Sequence, residues 1–193
     1  IEPKEEFFQL VKDSYALVYG SLAARANSYK TLDLLLDLAK FRVFDLNLRP
    51  PFYDLILIED IMKRSDMLKF NDQELLLIAD SMNSPFTSIK DHVKFISEKT
   101  NTDMICVTMG SKGASLYHTG DWFNSSGFKV NVIDTVGAGD SFLATLVFNL
   151  VNKKNINEAL EKACAMGALV SSHAGANTKI SEDDLYVFMD KAL

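Results

Sequence analysis

The chain alternates between short apolar runs and longer stretches in which apolar residues recur every three or four positions. The short runs predict strands at residues 15–19, 41–44, 67–70, 104–108 and 128–133, the first of them buried. The periodic stretches predict helices at residues 4–12, 32–40, 53–64, 71–79, 85–99, 142–150, 156–172 and 181–192. Residues 114–117 and 121–124 flank Thr119 and Gly120, which predicts a β-hairpin.

This order of elements predicts an α/β fold with a mostly parallel sheet and helices on both faces, because strands alternate with helices of ten or more residues. The 193 residues contain no internal repeat, low-complexity tract or linker, so we expect a single domain over residues 1–193. Ligands of such sheets bind beyond the carboxyl ends of the strands. The segments that follow the strands are therefore the candidate binding segments.

Composition argues against several classes of function. Lys and Arg number 20 against 26 Asp and Glu, a formal charge of -6 without a basic run, so we expect no nucleic-acid partner. No membrane-span-length apolar stretch or signal peptide is present, which favours a cytoplasmic protein. Cys106 and Cys164 lie in apolar runs and are predicted to be buried free thiols. His92, His118 and His173 lack the spacing of metal ligands, which gives a zinc site little support.

Residues 133–142 join a predicted strand to a predicted helix and carry the strongest chemical signal. Gly137, Ala138 and Gly139 lie at this junction, where small side chains let a ligand approach the backbone. The first N–H groups of a helix have no partner within the helix. With the helix dipole they form a site for a phosphate or an oxyanion.

Asp140 in the same stretch has two interpretations. A carboxylate in the first helical turn is stabilised by the dipole, so Asp140 could simply be a capping residue. A carboxylate beside an anion site could instead be the base for attack of a hydroxyl on a phosphoryl group. The P-loop pattern is absent. The dinucleotide fingerprint is half matched, by Gly137 and Gly139, because Phe142 occupies the third glycine position.

Polar residues follow two other predicted strands. If the extended backbone continues past residue 44, Asp45, Asn47 and Arg49 point to one side, which indicates either a ligand site or a surface ion pair. Asn71 and Glu74 have the spacing of a helix-capping box, and that is their simplest interpretation.

Two glycine-containing loops complete the set of candidate segments. Residues 108–113, Thr-Met-Gly-Ser-Lys-Gly, end a strand and would alone be a turn, with Lys112 exposed to solvent or paired with phosphate. Residues 167–177 cover a helix end, and Gly175 is a reasonable helix C-cap.

The run from Asp134 to Phe142, DTVGAGDSF, resembles the C-terminal signature of the ribokinase-like, or pfkB, carbohydrate kinases. Residues 45–49 resemble the Asp-x-Asn-x-Arg segment of the branch that contains fructokinases and ketodeoxygluconate kinases. Residues 71–74 resemble the family's Asn-x-x-Glu motif. The resemblance covers nearly the whole chain and implies a ribokinase-like fold and ATP-dependent phosphorylation of a sugar hydroxyl.

The resemblance also implies roles for individual residues. Asp140 would be the catalytic base, and the amides of Gly137, Ala138 and Gly139 would form the anion hole. Asn47 and Arg49 would lie near the sugar or the transferring phosphate. Magnesium would be organised through water by Asn71 and Glu74. The ATP contacts would come from Thr108, Gly110, Lys112, Gly113, Gly175 and Asn177.

A monovalent-cation site, often for potassium, is a further property implied by the resemblance. It would be formed mainly by carbonyls near Asp134 and Val136 together with the 174–177 loop. Lys179 stands near where some relatives carry a small hydroxyl residue, and its ammonium would replace the cation. We therefore expect only a weak potassium requirement. The resemblance further implies a homodimeric full-length protein with ATP and a small sugar as its ligands.

Family members begin with strands that carry a Gly-Gly sugar-binding motif and a small β lid, and neither motif occurs in this sequence. We therefore expect the nucleotide-binding and catalytic portion of a sugar kinase, inactive by itself. Two alternatives stay open. One is a dinucleotide-binding oxidoreductase module, for which an acidic residue should end a strand about 20 residues further on. The other is a non-catalytic remnant that acts as a binding module.

Overall fold

The computed structural model describes residues 2–175 and 178–192. The strands are β1 (Leu17–Gly20), β2 (Arg42–Asp45), β3 (Met67–Asn71), β4 (Met104–Thr108), β5 (Ala114–His118) and β6 (Asp121–Ser125). The helices are α1 (Glu5–Asp13), α2 (Ala26–Leu38), α3 (Leu55–Met62), α4 (Asp72–Ser81), α5 (Ile89–Thr100), α6 (Ala138–Val151), α7 (Ile156–Ser171) and α8 (Glu182–Ala192). Short 3-10 turns cover Ser21–Ala23 and Gly110–Lys112.

The six strands form one sheet in the order β1-β2-β3-β4-β5-β6. Strands β1 to β4 are parallel, with Val18 opposite Val43, Val43 opposite Met67 and Met67 opposite Met104. The prediction of an α/β fold with a mostly parallel sheet is therefore confirmed.

The chain divides into two compact units. The first contains the residues up to Thr108 together with Tyr117–Asp121, and the second contains Met109–Leu116 and the residues from Trp122 onward. The first unit holds β1 to β4 with α1 to α5, and the second holds α6, α7 and α8. The expectation of a single domain stays a prediction.

The core of the first unit lies along β2 and β3. Four consecutive residues of β3, from Met67 to Phe70, are buried, so both faces of this strand are covered. The largest fully buried side chains include Phe44, Phe70, Ile58, Ile61 and Met62. In the second unit, Leu146, Leu160 and Ala163 are fully buried along α6 and α7.

Side-chain caps begin four of the helices that the sequence predicts. The side chains of Asp54, Asn71, Ser88 and Asn155 accept backbone N–H groups at the starts of α3, α4, α5 and α7. Thr119 and Gly120 both have positive φ and turn the predicted β5–β6 hairpin. Cys106 and Cys164 are buried free cysteines, as predicted, and burial raises the pKa of the Cys164 thiol.

Several sequence-based predictions about elements are wrong. Residues 128–133 form no strand. Ile133, 61% exposed, donates its amide to the carbonyl of Ser171 at the end of α7 instead of to a neighbouring strand. The first strand is shorter than predicted and only partly buried, since Tyr15 is 77% exposed and Val18 is 48% exposed. Helix α5 begins at Ile89 rather than at residue 85, because Ser88 caps it.

Among the described residues, no helix combines the length and apolar character that crossing a membrane would require.

Arg42 and Asp66 form a partly buried ion pair at the start of β2. The backbone N, Nε and Nη2 of Arg42 donate to the Asp66 carboxylate at 2.7, 2.9 and 2.7 Å. Burial opposes ionisation of Asp66. The hydrogen bonds from Arg42 outweigh it and hold the pKa of the carboxyl below its usual value.

We expect Asp66→Asn to lower the free energy of unfolding by about 1–2 kcal/mol at pH 7, because a hydrogen-bonded, partly exposed charge pair is lost. A depressed folded-state pKa stabilises the protein above the unfolded-state pKa, and this contribution disappears as pH falls through the folded-state value. The difference between wild type and variant should therefore shrink below about pH 4.

Urea denaturation at pH 7 and pH 3 measures this difference. The exposed Asp80→Asn is the control and should change little at either pH. An equal loss for Asp66→Asn at both values would contradict the assignment.

Candidate active site

The segment after β2 departs from the predicted extension. Asp45 is buried, and its Oδ1 accepts from Nζ of the buried Lys69 on β3 at 2.9 Å. Asn47 has a φ of 40°, so the backbone turns into the left-handed region. The prediction that Asp45, Asn47 and Arg49 share one side of an extended segment is therefore wrong. Asp45 points into a buried ion pair, because the neighbouring strand offers a lysine.

The backbone of this segment is held on both sides. The Leu46 amide donates to the carbonyl of Lys69 at 3.1 Å. Ser21, after β1, donates its amide to the carbonyl of Leu46 at 3.2 Å and its Oγ to the carbonyl of Asn47 at 3.0 Å. Arg49 is exposed, and its side chain bonds to no other described residue. The segment thus presents a free guanidinium from a fixed backbone.

The N-terminus of α4 follows β3 and carries a reciprocal capping box. Asn71 Oδ1 accepts from the Glu74 amide at 2.8 Å, and Glu74 Oε2 accepts from the Asn71 amide at 2.8 Å. The other oxygen of Glu74, Oε1, accepts from the Leu48 amide at 2.9 Å. The capping interpretation is confirmed, and Glu74 additionally joins α4 to the segment after β2.

The residues after β4 form a closed turn. In the first unit, Thr108 Oγ1 donates to the carbonyl of Phe70 at 3.3 Å. In the second unit, the Met109 amide donates to the carbonyl of Gly113 at 2.8 Å, which closes the turn around Gly110–Lys112. Gly113 has a φ of 87° and a ψ of -140°, a conformation essentially restricted to glycine. Lys112 is exposed within this turn.

Helix α6 begins as the sequence predicts, but with a glycine in place of a side-chain cap. Gly137 is the N-cap with a φ of 83°, and Asp140 lies exposed in the first turn. The Ala138 amide donates to the carbonyl of Thr135 at 3.2 Å. Among the described residues, the amides of Gly139 and Asp140 have no acceptor. This terminus therefore exposes N–H donors beside a carboxylate.

Asp134 links the start of this turn to the loop after α7. Its Oδ1 accepts from the Val136 amide at 3.0 Å and its Oδ2 from the Gly175 amide at 3.1 Å. The N–H groups of Val136 and Gly175 hold the pKa of the Asp134 carboxyl below its usual range. Gly175 lies beyond the end of α7, whose C-cap is Ser172, so the prediction of a Gly175 C-cap is wrong. Asn177 lies outside the described residues.

Three residues that matter for this arrangement are missing from the sequence-based candidates. Lys69 is a lone charge in a buried strand, which could have signalled a buried partner. Gly127 packs against the Ser111 backbone, and a Cβ there would clash with the Ser111 carbonyl. Gly167 on α7 faces the Ala138 carbonyl, which a Cβ would approach to 3.2 Å. Gly127 lies in no candidate segment, and Gly167 only begins the 167–177 segment, so no local pattern indicated the backbone that each glycine packs against.

Among the described residues, no cluster of three or more His, Cys, Asp or Glu side chains could hold a metal ion directly. Glu74 uses both carboxylate oxygens for backbone N–H groups. Each oxygen keeps a second lone pair, so contact with a cation through water fits this geometry better than direct ligation.

A mostly parallel sheet with intervening helices is the architecture of α/β proteins, and a helix start with free N–H donors is a common place for a phosphate to bind. The sequence pattern of the "pfkB family carbohydrate kinase" matches residues 2–183, and the chain belongs to this family. The resemblance described above is therefore confirmed.

Individual relatives agree with this family. Fructokinase-2 of Solanum lycopersicum is 28% identical over 193 residues, which covers 91% of this chain and 57% of the relative. Putative fructokinase-8 of Arabidopsis thaliana is 26% identical, with coverage of 91% of this chain and 89% of the relative.

A fructokinase structure from Vibrio cholerae, solved with fructose, ADP and calcium ion, is 26% identical with a TM-score of 0.79. The match covers 90% of this chain and 60% of that one. The chain thus spans somewhat more than half the length of the tomato and Vibrio proteins.

Gly127→Ala should lower the free energy of unfolding by about 1–3 kcal/mol, since the added methyl group would overlap the Ser111 carbonyl group, whose carbon lies 2.7 Å away. Chemical denaturation of the chain measures this loss. The adjacent exposed Ser126→Ala is the matched control and should leave the midpoint unchanged. An unaltered midpoint for Gly127→Ala would show that residues 110–113 and 125–127 do not pack as described.

Proposed function

We propose that this chain carries the catalytic and nucleotide-binding part of an ATP-dependent carbohydrate kinase that phosphorylates a sugar hydroxyl. The observation that carries the proposal is the N-terminus of α6. It combines a left-handed Gly137, free amides at Gly139 and Asp140, and an exposed carboxylate in a chain of the carbohydrate kinase family. Fructose is the favoured sugar, because the tomato and Vibrio relatives are fructokinases.

The chemistry assigned to this terminus is phosphoryl transfer. Asp140 takes the proton from the attacking hydroxyl, and backbone amides stabilise charge on the transferring phosphoryl group. The amides of Gly137 and Gly139 have no acceptor among the described residues and are available for this role. Ala138 can join them only by sharing or releasing its bond to the Thr135 carbonyl. Arg49 supplies positive charge, and Asn47 contacts the sugar or the phosphate.

Magnesium neutralises phosphate charge when ATP is bound. Asn71 and Glu74 are proposed to reach it through water, in keeping with the backbone bonds that occupy both Glu74 oxygens. The nucleotide is proposed to contact Thr108, Gly110, Lys112, Gly113 and Gly175, with Asn177 completing the set.

The carbonyls near Asp134 and Val136 are the proposed place for a monovalent cation. Lys179 is exposed and bonds to no other described residue, so its ammonium is free to serve there in place of potassium. The protein is proposed to work in the cytoplasm, and its full-length form as a homodimer.

A second candidate is a nucleotide-binding module without sugar turnover. Its support is putative fructokinase-8, of which this chain covers 89%, so a family member of about this extent exists. The oxidoreductase alternative lacks support, because the region where an acidic strand end is needed lies within α7.

In the full-length protein, Asp140→Asn should lower the rate of sugar phosphorylation by about 10²–10⁴-fold, because general-base catalysis by the carboxylate is lost. ATP affinity should stay within a factor of about three, since the amide donors are unchanged. Steady-state kinetics and calorimetry measure the two quantities. Asp183→Asn, exposed in the first turn of α8, is the control. Near wild-type turnover in Asp140→Asn would remove this carboxylate from the mechanism.

Residues 1–193 alone should bind ATP weakly and show negligible turnover of fructose, ribose or ketodeoxygluconate. Phosphoryl transfer depends on positioning, worth effective molarities of about 10⁵–10⁸ M, and the family's sugar-binding motif and lid are absent from these residues. A coupled kinase assay beside ATP calorimetry tests this. Robust turnover of any sugar would refute the prediction. ATP binding without sugar turnover, both in these residues and in the full-length protein, would favour the second candidate.

A further inference from the structure

Glu74 holds two separate parts of the chain with one carboxylate. Its Oε2 accepts from the Asn71 amide at 2.8 Å and its Oε1 from the Leu48 amide at 2.9 Å. The side chain is 9% exposed, so both bonds lie in a poorly hydrated place. Buried hydrogen bonds to a charged acceptor are among the stronger ones in proteins.

Leu48 belongs to residues 46–49, which we call the 46–49 loop. Its first half is held by Lys69 and Ser21 through the backbone of Leu46 and Asn47. The Leu48 amide belongs to the same peptide group as the Asn47 carbonyl and donates to Glu74, so Ser21 and Glu74 hold this peptide group from its two sides. Without Glu74, the Ser21 hydroxyl alone would hold the peptide group that precedes Arg49, whose own carbonyl accepts from the Phe52 amide at 2.8 Å.

We propose that Glu74 is a positioning residue, which fixes the 46–49 loop on the N-terminus of α4 and thereby places Arg49. The effect of this positioning on ligand binding rests on the function proposed above. Any water-mediated contact of Glu74 with magnesium is secondary to this role.

The geometry requires a carboxylate of this length. Two N–H donors approach the two oxygens from different parts of the chain. A glutamine offers one acceptor oxygen, and its NH₂ group would face the second donor. An aspartate keeps the charge but is one methylene shorter, so it cannot reach both amides.

The first test needs no ligand. Amide hydrogen exchange by NMR is followed in residues 1–193 for wild type, Glu74→Gln, Glu74→Asp and the control Asp72→Asn. Asp72 lies in the same helical turn, and its side chain accepts from the Gln73 amide at 3.0 Å. We expect exchange at Leu48 or Asn71 to accelerate about 10–100-fold in both Glu74 variants. Exchange in β4, at Ile105 and Val107, should not change.

Two results of this test would overturn the proposal. One is unchanged exchange at both Leu48 and Asn71 in the Glu74 variants. The other is equal acceleration throughout the first unit, which would indicate general destabilisation instead of a local tie.

The second test asks whether Glu74 acts through Arg49. ATP affinity is measured by calorimetry, with magnesium and with EDTA, for Glu74→Gln, Arg49→Ala and the double variant. We expect Glu74→Gln to weaken binding by the same factor in both buffers, and the double variant to be no weaker than Arg49→Ala. A loss confined to magnesium buffer would show that Glu74 acts on the metal, and additive losses would show that it acts independently of Arg49. Either result would overturn the proposal.

The two tests separate the possible failures. If the wild-type chain binds no ATP, the proposed function fails for this chain, while the exchange experiment still decides whether Glu74 holds the loop.

Discussion

Backbone N–H groups at the ends of buried elements need acceptors, and this requirement shapes the candidate site. At the start of α4 the Asn71 and Glu74 side chains meet it. At the start of α6 the N-cap is Gly137, which has no side chain to offer. The left-handed conformation of Gly137 also directs the chain into the helix without covering its first turn. One helix start is therefore closed by the protein itself, and the other leaves N–H donors without an acceptor among the described residues.

Charged groups buried inside the first unit need partners in the same way. A buried carboxylate or ammonium is costly unless each is paired and hydrogen-bonded. Asp45 and Lys69 satisfy each other across β2 and β3, and Lys69 also accepts the Leu46 amide through its carbonyl. The ion pair thus sits at the base of the 46–49 loop, where the chain leaves the sheet. The buried Asp45–Lys69 pair therefore stabilises the backbone that carries the exposed Arg49.

Much of the fold could be predicted from the sequence, because hydrophobic periodicity and caps such as Asn71 are local signals. The prediction failed where the outcome depends on distant residues. Residues 128–133 have strand-like alternation, but the Ile133 amide is taken by Ser171. The interpretation of Asp45 stayed open between a ligand site and a surface ion pair, because nothing near it in sequence indicates the buried Lys69, 24 residues away. The Asp140 motif was recognised because its residues are contiguous, whereas the roles of Gly127 and Gly167 depend on packing against distant backbone.

The charge of the chain constrains how it could bind a nucleotide. A formal charge of -6 gives a long-range field that repels ATP rather than attracting it. Affinity for such an anion must then come from short-range donors held in fixed positions. The exposed Arg49 and Lys112 and the free amides of α6 are groups of this kind, since each is exposed or lacks an acceptor among the described residues. A backbone amide points where the local backbone directs it. The direction of the α6 amides is therefore set by the conformation of Gly137 and by the residues that hold the turn before it. Asp134 has that position, bonded to Val136 on one side and Gly175 on the other, so its carboxylate orders the backbone that leads into α6.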